Sequence, residues 1–144
     1  MIKLDHIGFV VDSIEKYTEV FRGIGLEDIT APVENPLQKV FGSFVNVGGK
    51  EDIYVELLEP TGDDSPVSKF LKQRGGGLHH LCFEVEDIEK TSAELAEKGC
   101  KMIVSPQDCE AYDINFNREC NSTSKIAFFI VAERFLLELI EKGI

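Results

Sequence analysis

The chain contains an internal repeat, and this repeat constrains the fold more than any other feature of the sequence. Residues 6–16 read HIGFVVDSIEK and residues 80–90 read HLCFEVEDIEK, so a shift of 74 residues aligns them. Residues 53–59 (IYVELLE) and 135–141 (FLLELIE) also match, at a shift of 82. A chance likeness of two amphipathic helices would not match both ends of each copy. The pattern therefore indicates two copies of one structural unit.

Each copy is predicted to form a strand, a helix and then three more strands. The first segment is apolar, an acidic or hydroxyl residue suited to a helix N-cap follows it, and apolar residues then recur at helical spacing. Gly25 and Gly99 stand where each helix would end. The interior strands are expected at residues 27–31, 40–47, 101–105 and 125–131.

The copies are expected to form one α+β domain over residues 1–144, built from two tandem βαβββ modules. Module 1 covers about residues 1–60 and module 2 about residues 77–144. The intervening segment SPVSKFLKQRGGG predicts a linking helix over about residues 65–74. Its first serine can cap a helix, the following proline suits a first helical turn, and the glycines end it.

Composition and charge argue against several classes of function. The formal net charge is −11, from 26 acidic and 15 basic residues, whereas nucleic-acid binding needs clustered Lys and Arg. No apolar run approaches the roughly 20 residues of a membrane span. The N-terminus does not read as a signal peptide, so we expect a cytoplasmic protein without a membrane or nucleic-acid partner.

The four cysteines form no CxxC pair, which favours reduced thiols.

Two histidines and two glutamates occupy equivalent positions in the copies. His6 aligns with His80, and Glu56 aligns with Glu138. A carboxylate inside an apolar strand is costly unless it is compensated, and two modules around a pseudo-twofold axis would bring all four side chains to one cavity. We therefore predict that these residues bind one divalent ion per chain. The mixed nitrogen and oxygen set suits a five- or six-coordinate ion, and cobalt, nickel, zinc, manganese and iron all accept it.

Other polar residues of these strands receive ordinary structural interpretations. Strand alternation points His79 away from the face of His80, and we interpret it as a partly buried, hydrogen-bonded residue and not as a ligand. Glu59, Glu84 and Glu141 are interpreted as facing solvent.

The repeated units and the four paired residues are similar to those of a known family of proteins. The chain resembles the vicinal oxygen chelate superfamily of two-βαβββ-module proteins, which includes glyoxalases, extradiol dioxygenases, fosfomycin- and bleomycin-resistance proteins, and methylmalonyl-CoA epimerases. The stretch ELLEPTGDDSPVSKFLKQRGGGLHHLCFEVEDI is most similar to the epimerases. The resemblance implies a curved mixed sheet around a metal cavity and a homodimer. It also implies metal ligands at His6, Glu56, His80 and Glu138, with Glu138 as the catalytic proton-transfer base.

Two departures from the epimerase pattern bear on the reaction and the substrate. The epimerases typically carry an acidic second base just before a Gln-Gly/Lys-Val stretch, where the segment NPLQKV has Leu37, and Glu34 lies three residues earlier. The glycine-rich loop before the seventh strand is replaced by QDCEAYDINFNRECNSTSK, residues 107–125. We therefore expect a different substrate mouth.

The sequence alone is compatible with four functions. The first, which we prefer, is a metal-dependent epimerase of a 2-substituted malonyl-type thioester, in which a base removes a proton next to a carbonyl. The second is a glyoxalase I-type lactoylglutathione lyase acting on a thiol–methylglyoxal hemithioacetal, which tolerates the missing base better. The third, a ring-cleaving Fe(II) dioxygenase, needs only one carboxylate, so Glu56 argues against it. The fourth is a metal-free small-molecule binding or resistance protein, which would have no reason to keep four ligands.

Overall fold

The computed structural model describes residues 2–132 and 135–144. The strands are β1 (Lys3–Val10), β2 (Val33–Asn35), β3 (Val40–Asn46), β4 (Tyr54–Pro60), β5 (Gly77–Glu84), β6 (Lys101–Asp108), β7 (Lys125–Ala132) and β8 (Phe135–Glu141). The helices are α1 (Ile14–Gly23), α2 (Pro66–Arg74), α3 (Ile88–Glu97) and α4 (Glu110–Asn115), and a 3-10 turn lies at Gly49–Glu51.

The strands of the described residues form one curled, half-barrel sheet in the order β2-β3-β4-β1-β5-β8-β7-β6. β1 lies parallel to β4 and antiparallel to β5, and β5 lies parallel to β8. The register repeats between the modules, since His6 is opposite Tyr54 and the equivalent His80 is opposite Leu136. A pseudo-twofold axis therefore passes between β1 and β5. The predicted α+β class and two-module architecture are confirmed.

One predicted interior strand differs from the structure. Residues 27–31 contribute only an isolated bridge at Ile29, and β2 begins later, at Val33. The reason is local, because the hydroxyl of Thr30 accepts the backbone N–H of Phe44 at 2.9 Å. A side chain thus takes one place in the ladder that a backbone carbonyl would fill in a regular strand.

Each module's helix begins against a glutamate from that module's last strand. Glu59 Oε1 accepts the backbone N–H of Ile14 at 2.8 Å, and Glu141 Oε1 accepts that of Ile88 at 3.0 Å. The interpretation of Glu59 and Glu141 as solvent-facing is therefore wrong. Both are partly buried, because the first N–H groups of a helix lack an intrahelical partner and attract negative charge.

The two faces of the sheet are covered by different helices. α1 and α3 pack on one face, where Ile14 and Ile88 are buried among apolar strand residues. On the opposite face, Ala111 and Tyr112 of α4 pack with Phe44 in a separate buried cluster. Within the described residues, no helix is both long enough and apolar enough to cross a bilayer.

α2 connects the two modules and is closed by sequence signals at both ends. Ser65 Oγ accepts the backbone N–H of Val67, Pro66 lies in the first turn, and Gly75 ends the helix in the left-handed conformation at φ 72°. Val67 packs with Val10 of β1 and other apolar strand residues, so the helix is anchored to the sheet.

Candidate functional site

The four central strands of the sheet each contribute one side chain to a single cluster. His6 lies on β1, Glu56 on β4, His80 on β5 and Glu138 on β8. One donor atom of each residue lies within 4.8 Å of the donor atoms of the others. The structure thus brings together all four residues that the repeat singled out. Glu56 and His80 lie at one level of the sheet, on either side of Gly8, and His6 and Glu138 lie two residues away, on either side of Cys82.

The distances within this cluster are those of atoms around one cation. The two histidine Nε2 atoms are 3.1 Å apart, and Glu138 Oε1 lies 3.0 Å from Nε2 of His6 and 3.1 Å from that of His80. Glu56 Oε1 lies 3.3 Å from both nitrogens. Donors at about 2.0–2.2 Å from a metal are about 3.0–3.4 Å apart at angles of 90–109°. The residues therefore fit a divalent ion with imidazole and carboxylate ligands.

The electrostatics of the cluster favour positive charge between its members. Burial raises the pKa of Glu138, but the hydrogen bonds and charges of His6 and His80 outweigh it and lower this pKa to about 2. The pKa of Glu56 is lowered for the same reason. Burial lowers the pKa of His80, whereas Glu138 and Glu56 raise it by more, so the net direction is upward. The buried carboxylate of Glu138 and the partly buried carboxylate of Glu56 thus stay ionised and stabilise a cation or protons between them.

Each histidine is oriented through its second ring nitrogen by the residue that precedes it. His6 Nδ1 lies 2.8 Å from Asp5 Oδ2, and His80 Nδ1 lies 2.8 Å from His79 Nδ1. Burial and the charge of His80 lower the pKa of His79 to about 4, so His79 is neutral and can accept a hydrogen bond. Both cluster histidines therefore present Nε2 to the site, as metal-binding histidines do.

Asp5 is a site residue that sequence reasoning missed. Simple alternation points it away from the face of His6, but the β1–β5 ladder is irregular between Leu4 and His6, and both Asp5 and His6 are buried. Burial raises the pKa of Asp5, yet His6 and Lys142 outweigh this and bring it to about 2. The available signal was a carboxylate in an apolar strand directly before a predicted ligand.

Gly8 was also missed, and it provides the space that His80 occupies. A Cβ atom at position 8 would overlap the imidazole ring of His80, far inside van der Waals contact. The repeat contained the signal, because Gly8 aligns with Cys82 and only one of the two copies has a side chain there.

α4 closes the cavity beside the four side chains. The cavity is only about 20 Å³, which is room for about one water-sized group. Its lining includes Cys109, Ala111, Tyr112 and Asn115 from α4 and the residue before it. Asn115 Nδ2 donates to the backbone oxygens of Gly42 at 3.1 Å and Ala31 at 3.2 Å, so α4 is bonded across the sheet to module 1.

The structure places Leu37 and Glu34 outside the site. Leu37 is 46% exposed. Glu34 is exposed and lies between Val33 and Asn35, the two residues of β2 that line the cavity. Among the described residues that line this cavity, the carboxylates are Glu56 and Glu138 alone.

Comparison with known proteins identifies the family of the chain. Residues 5–117 match the family described as the glyoxalase/bleomycin resistance protein/dioxygenase superfamily. The chain belongs to this superfamily. The resemblance predicted from the sequence is confirmed, and several of the relatives are methylmalonyl-CoA epimerases.

Bovine mitochondrial methylmalonyl-CoA epimerase is 34% identical over 102 residues, which are 70% of this chain and 57% of the relative. This chain therefore spans a little over half the length of the bovine protein. The ethylmalonyl-CoA/methylmalonyl-CoA epimerase of Cereibacter sphaeroides is 33% identical over 104 residues, 72% of this chain and 75% of the relative. Streptomyces coelicolor methylmalonyl-CoA epimerase, solved with 2-nitronate-propionyl-CoA, superposes with a TM-score of 0.78 at 26% identity, covering 99% of this chain and 98% of that one.

Proposed function

We propose that this protein is a divalent-metal-dependent epimerase that moves a proton at the carbon next to the carbonyl of a 2-substituted malonyl thioester. The observation that carries the proposal is the buried cluster of two imidazoles and two carboxylates, whose donor atoms are spaced as one coordination sphere. The substrate class is supported by the relatives, which are named as epimerases of methylmalonyl-CoA and ethylmalonyl-CoA.

His6 and His80 would hold the cation through Nε2, and Glu56 and Glu138 through one oxygen each. When bound, the ion supplies Lewis acidity, which lowers the pKa of a proton next to a carbonyl group. Cobalt, nickel, zinc, manganese and iron all remain candidates, because each accepts this mixed donor set.

Glu138 is the proposed base, and Glu56 is chiefly a ligand. The resemblance to the epimerases supports this division, since the repeat itself makes the two glutamates equivalent. Glu138 is buried and ionised, so its carboxylate is available to take a proton from a substrate placed against the cluster. Since the cavity offers no further carboxylate within the described residues, we expect exchange to favour one face of the substrate.

Deuterium uptake tests the proposal. The cobalt-loaded protein is incubated in D₂O with each pure enantiomer of a 2-methylmalonyl thioester, and α-deuterium is followed by mass spectrometry. We expect uptake from both, faster from one, and none with His6→Ala. Equal fast uptake would reveal a second base that is not among the cavity carboxylates, and no uptake from either enantiomer would contradict an epimerase.

One observation favours a second candidate function. The described cavity contains no carboxylate besides the two cluster glutamates, and a glyoxalase I-type lyase can move a proton along one face of a hemithioacetal with one base. Turnover of a thiol–methylglyoxal hemithioacetal, without exchange into malonyl thioesters, would assign the protein to this reaction instead.

The homodimer and the cytoplasmic location remain predictions from the sequence. β2 and β6 are the edges of the sheet within the described residues, and an exposed edge strand favours cover by another chain. Light scattering at micromolar concentration gives the mass that distinguishes a dimer from a monomer.

A further inference from the structure

A series of hydrogen bonds connects α4 and the C-terminal residues to the cluster through Asp5. Asp5 is 1% exposed, and its Oδ2 lies 2.8 Å from Nδ1 of His6. The Tyr112 hydroxyl donates to Oδ1 at 3.1 Å, and Lys142 Nζ lies 2.9 Å from the same oxygen. Glu84 in turn pairs with Lys142 at 3.2 Å. Asp5 is thus a buried carboxylate whose oxygens are held by three donors.

This arrangement determines which nitrogen His6 presents to the cluster. A carboxylate only accepts hydrogen bonds, so the imidazole must carry its proton on Nδ1 and direct the Nε2 lone pair at the site. If Asp5 rotated, His6 could lose this orientation, and an N–H would replace the lone pair that a cation needs.

Tyr112 connects this arrangement to the helix that covers the site. It lies on α4, and its ring also stacks beside His6 with the ring centroids 6.5 Å apart. A cavity of about 20 Å³ cannot hold a thioester, and α4 is one of the two segments, with β2, that cover the cluster. Movement of α4 would carry the Tyr112 hydroxyl away from Asp5.

We propose that Asp5 is the positioning residue of His6, and that Tyr112 makes this positioning depend on the seating of α4. Metal binding and closure of α4 then favour each other, because both are linked through the same carboxylate. The inference rests on the proposed metal site and adds a regulation of that site by the covering helix.

Cobalt titration of the purified protein tests the inference without any substrate. Asp5→Asn should weaken Co²⁺ binding about 10- to 100-fold, as the loss of an outer partner of a metal-binding histidine does. Tyr112→Phe removes one hydrogen bond and should weaken binding about fivefold. Tyr54→Phe is the matched control and should change nothing. Tyr54 packs in the same aromatic cluster, but Asp5 receives its bonds from His6, Tyr112 and Lys142.

Proton NMR of the cobalt-loaded protein separates positioning from a general loss of structure. Two exchangeable, strongly shifted imidazole N–H signals are expected, one from His6 and one from His80. The His6 signal should exchange faster with D₂O in Asp5→Asn and Tyr112→Phe, while the His80 signal keeps its rate. A merely structural role would change both signals together.

The outcomes distinguish the inference from the function on which it rests. If the wild type binds no cobalt, the proposed metal centre is wrong and the inference falls with it. If the wild type binds cobalt and both variants match it in affinity and N–H exchange, the metal centre stands and the positioning role is wrong. An effect of Asp5→Asn without one of Tyr112→Phe overturns the link to α4.

Discussion

The two modules use the same backbone to present a histidine but hold that histidine in different ways. His6 and His80 lie on equivalent strands, and each packs edge-on against a phenylalanine, with ring centroids 5.1 and 5.5 Å apart. The residue before His6 is Asp5, an ionised acceptor, whereas the residue before His80 is His79, a neutral one. An ionised partner makes the stronger hydrogen bond, so His6 is the more firmly oriented ligand.

A second difference lies where each histidine meets the other module. His80 lies over Gly8 of module 1, which has no side chain, whereas His6 is opposite Cys82 of module 2, which has one. In addition, α4 has no counterpart in module 1 within the described residues. The repeated backbone therefore sets where the donors lie. The residues around them, which the repeat did not keep equal, decide how each donor is held and covered.

The largest effect should come from breaking the equivalence of the two glutamates. Glu138→Gln keeps the shape and one oxygen ligand but cannot accept a proton, so turnover should fall about 10²- to 10⁴-fold while much of the metal is retained. Glu56→Gln, its equivalent in module 1, should reduce turnover less. Initial rates with elemental analysis measure both quantities, and equal losses would mean that the modules contribute equally to catalysis.

Gly8→Ala should show how far the position of His80 depends on the glycine of module 1. The added methyl group would meet the His80 ring and displace this ligand from the cluster, so cobalt affinity should fall by more than the roughly 10- to 100-fold that loss of an outer partner costs. The crowding should also lower the free energy of unfolding by about 1–3 kcal/mol. Gly23→Ala is the control, since a Cβ there meets no atom within 4 Å. Unchanged cobalt titration in Gly8→Ala would show that His80 can hold the ion from another position.

The smallest expected effect concerns a contact that both modules share, the glutamate that accepts a hydrogen bond at the start of the helix. Glu59→Ala and Glu141→Ala each remove the acceptor at the start of one helix, and each should lower the free energy of unfolding by about 1 kcal/mol. Urea denaturation of both variants measures this, with Glu19→Ala as control, because Glu19 is 68% exposed and its ion pair with Arg22 lies on the surface of the same helix. A large inequality between Glu59→Ala and Glu141→Ala would mean that the two helix starts are not equivalent.

The repeat allowed the main architecture to be predicted from the sequence. Alternation within a strand and equal offsets between copies place His6 with His80 and Glu56 with Glu138. In both modules the glutamate lies two residues beyond the position opposite its own histidine, so the two pairs are equivalent. Local capping signals were sufficient for α2, which lies within two residues of its predicted bounds.

The missed features depend on contacts that are distant in sequence. Glu59 meets Ile14 across 45 residues, and Asp5 meets Tyr112 across 107. The burial of Asp5 also needs the irregular pairing of β1, which no local pattern signals. α4 has six residues and no side-chain cap hydrogen bond, so the usual signs of a helix start are missing from its sequence.

The antiparallel pairing of β1 with β5 has a consequence for how such a chain can arise. Strands that pair antiparallel about a twofold axis are self-complementary, so two copies of a single half-length chain could form the same seam and gather the same four donors. α2 then acts as a tether, which replaces an encounter between separate chains by one at an effective concentration in the millimolar range. Covalent joining also allows the halves to differ. Asp5 precedes one histidine and His79 precedes the other, a difference that two identical chains cannot have.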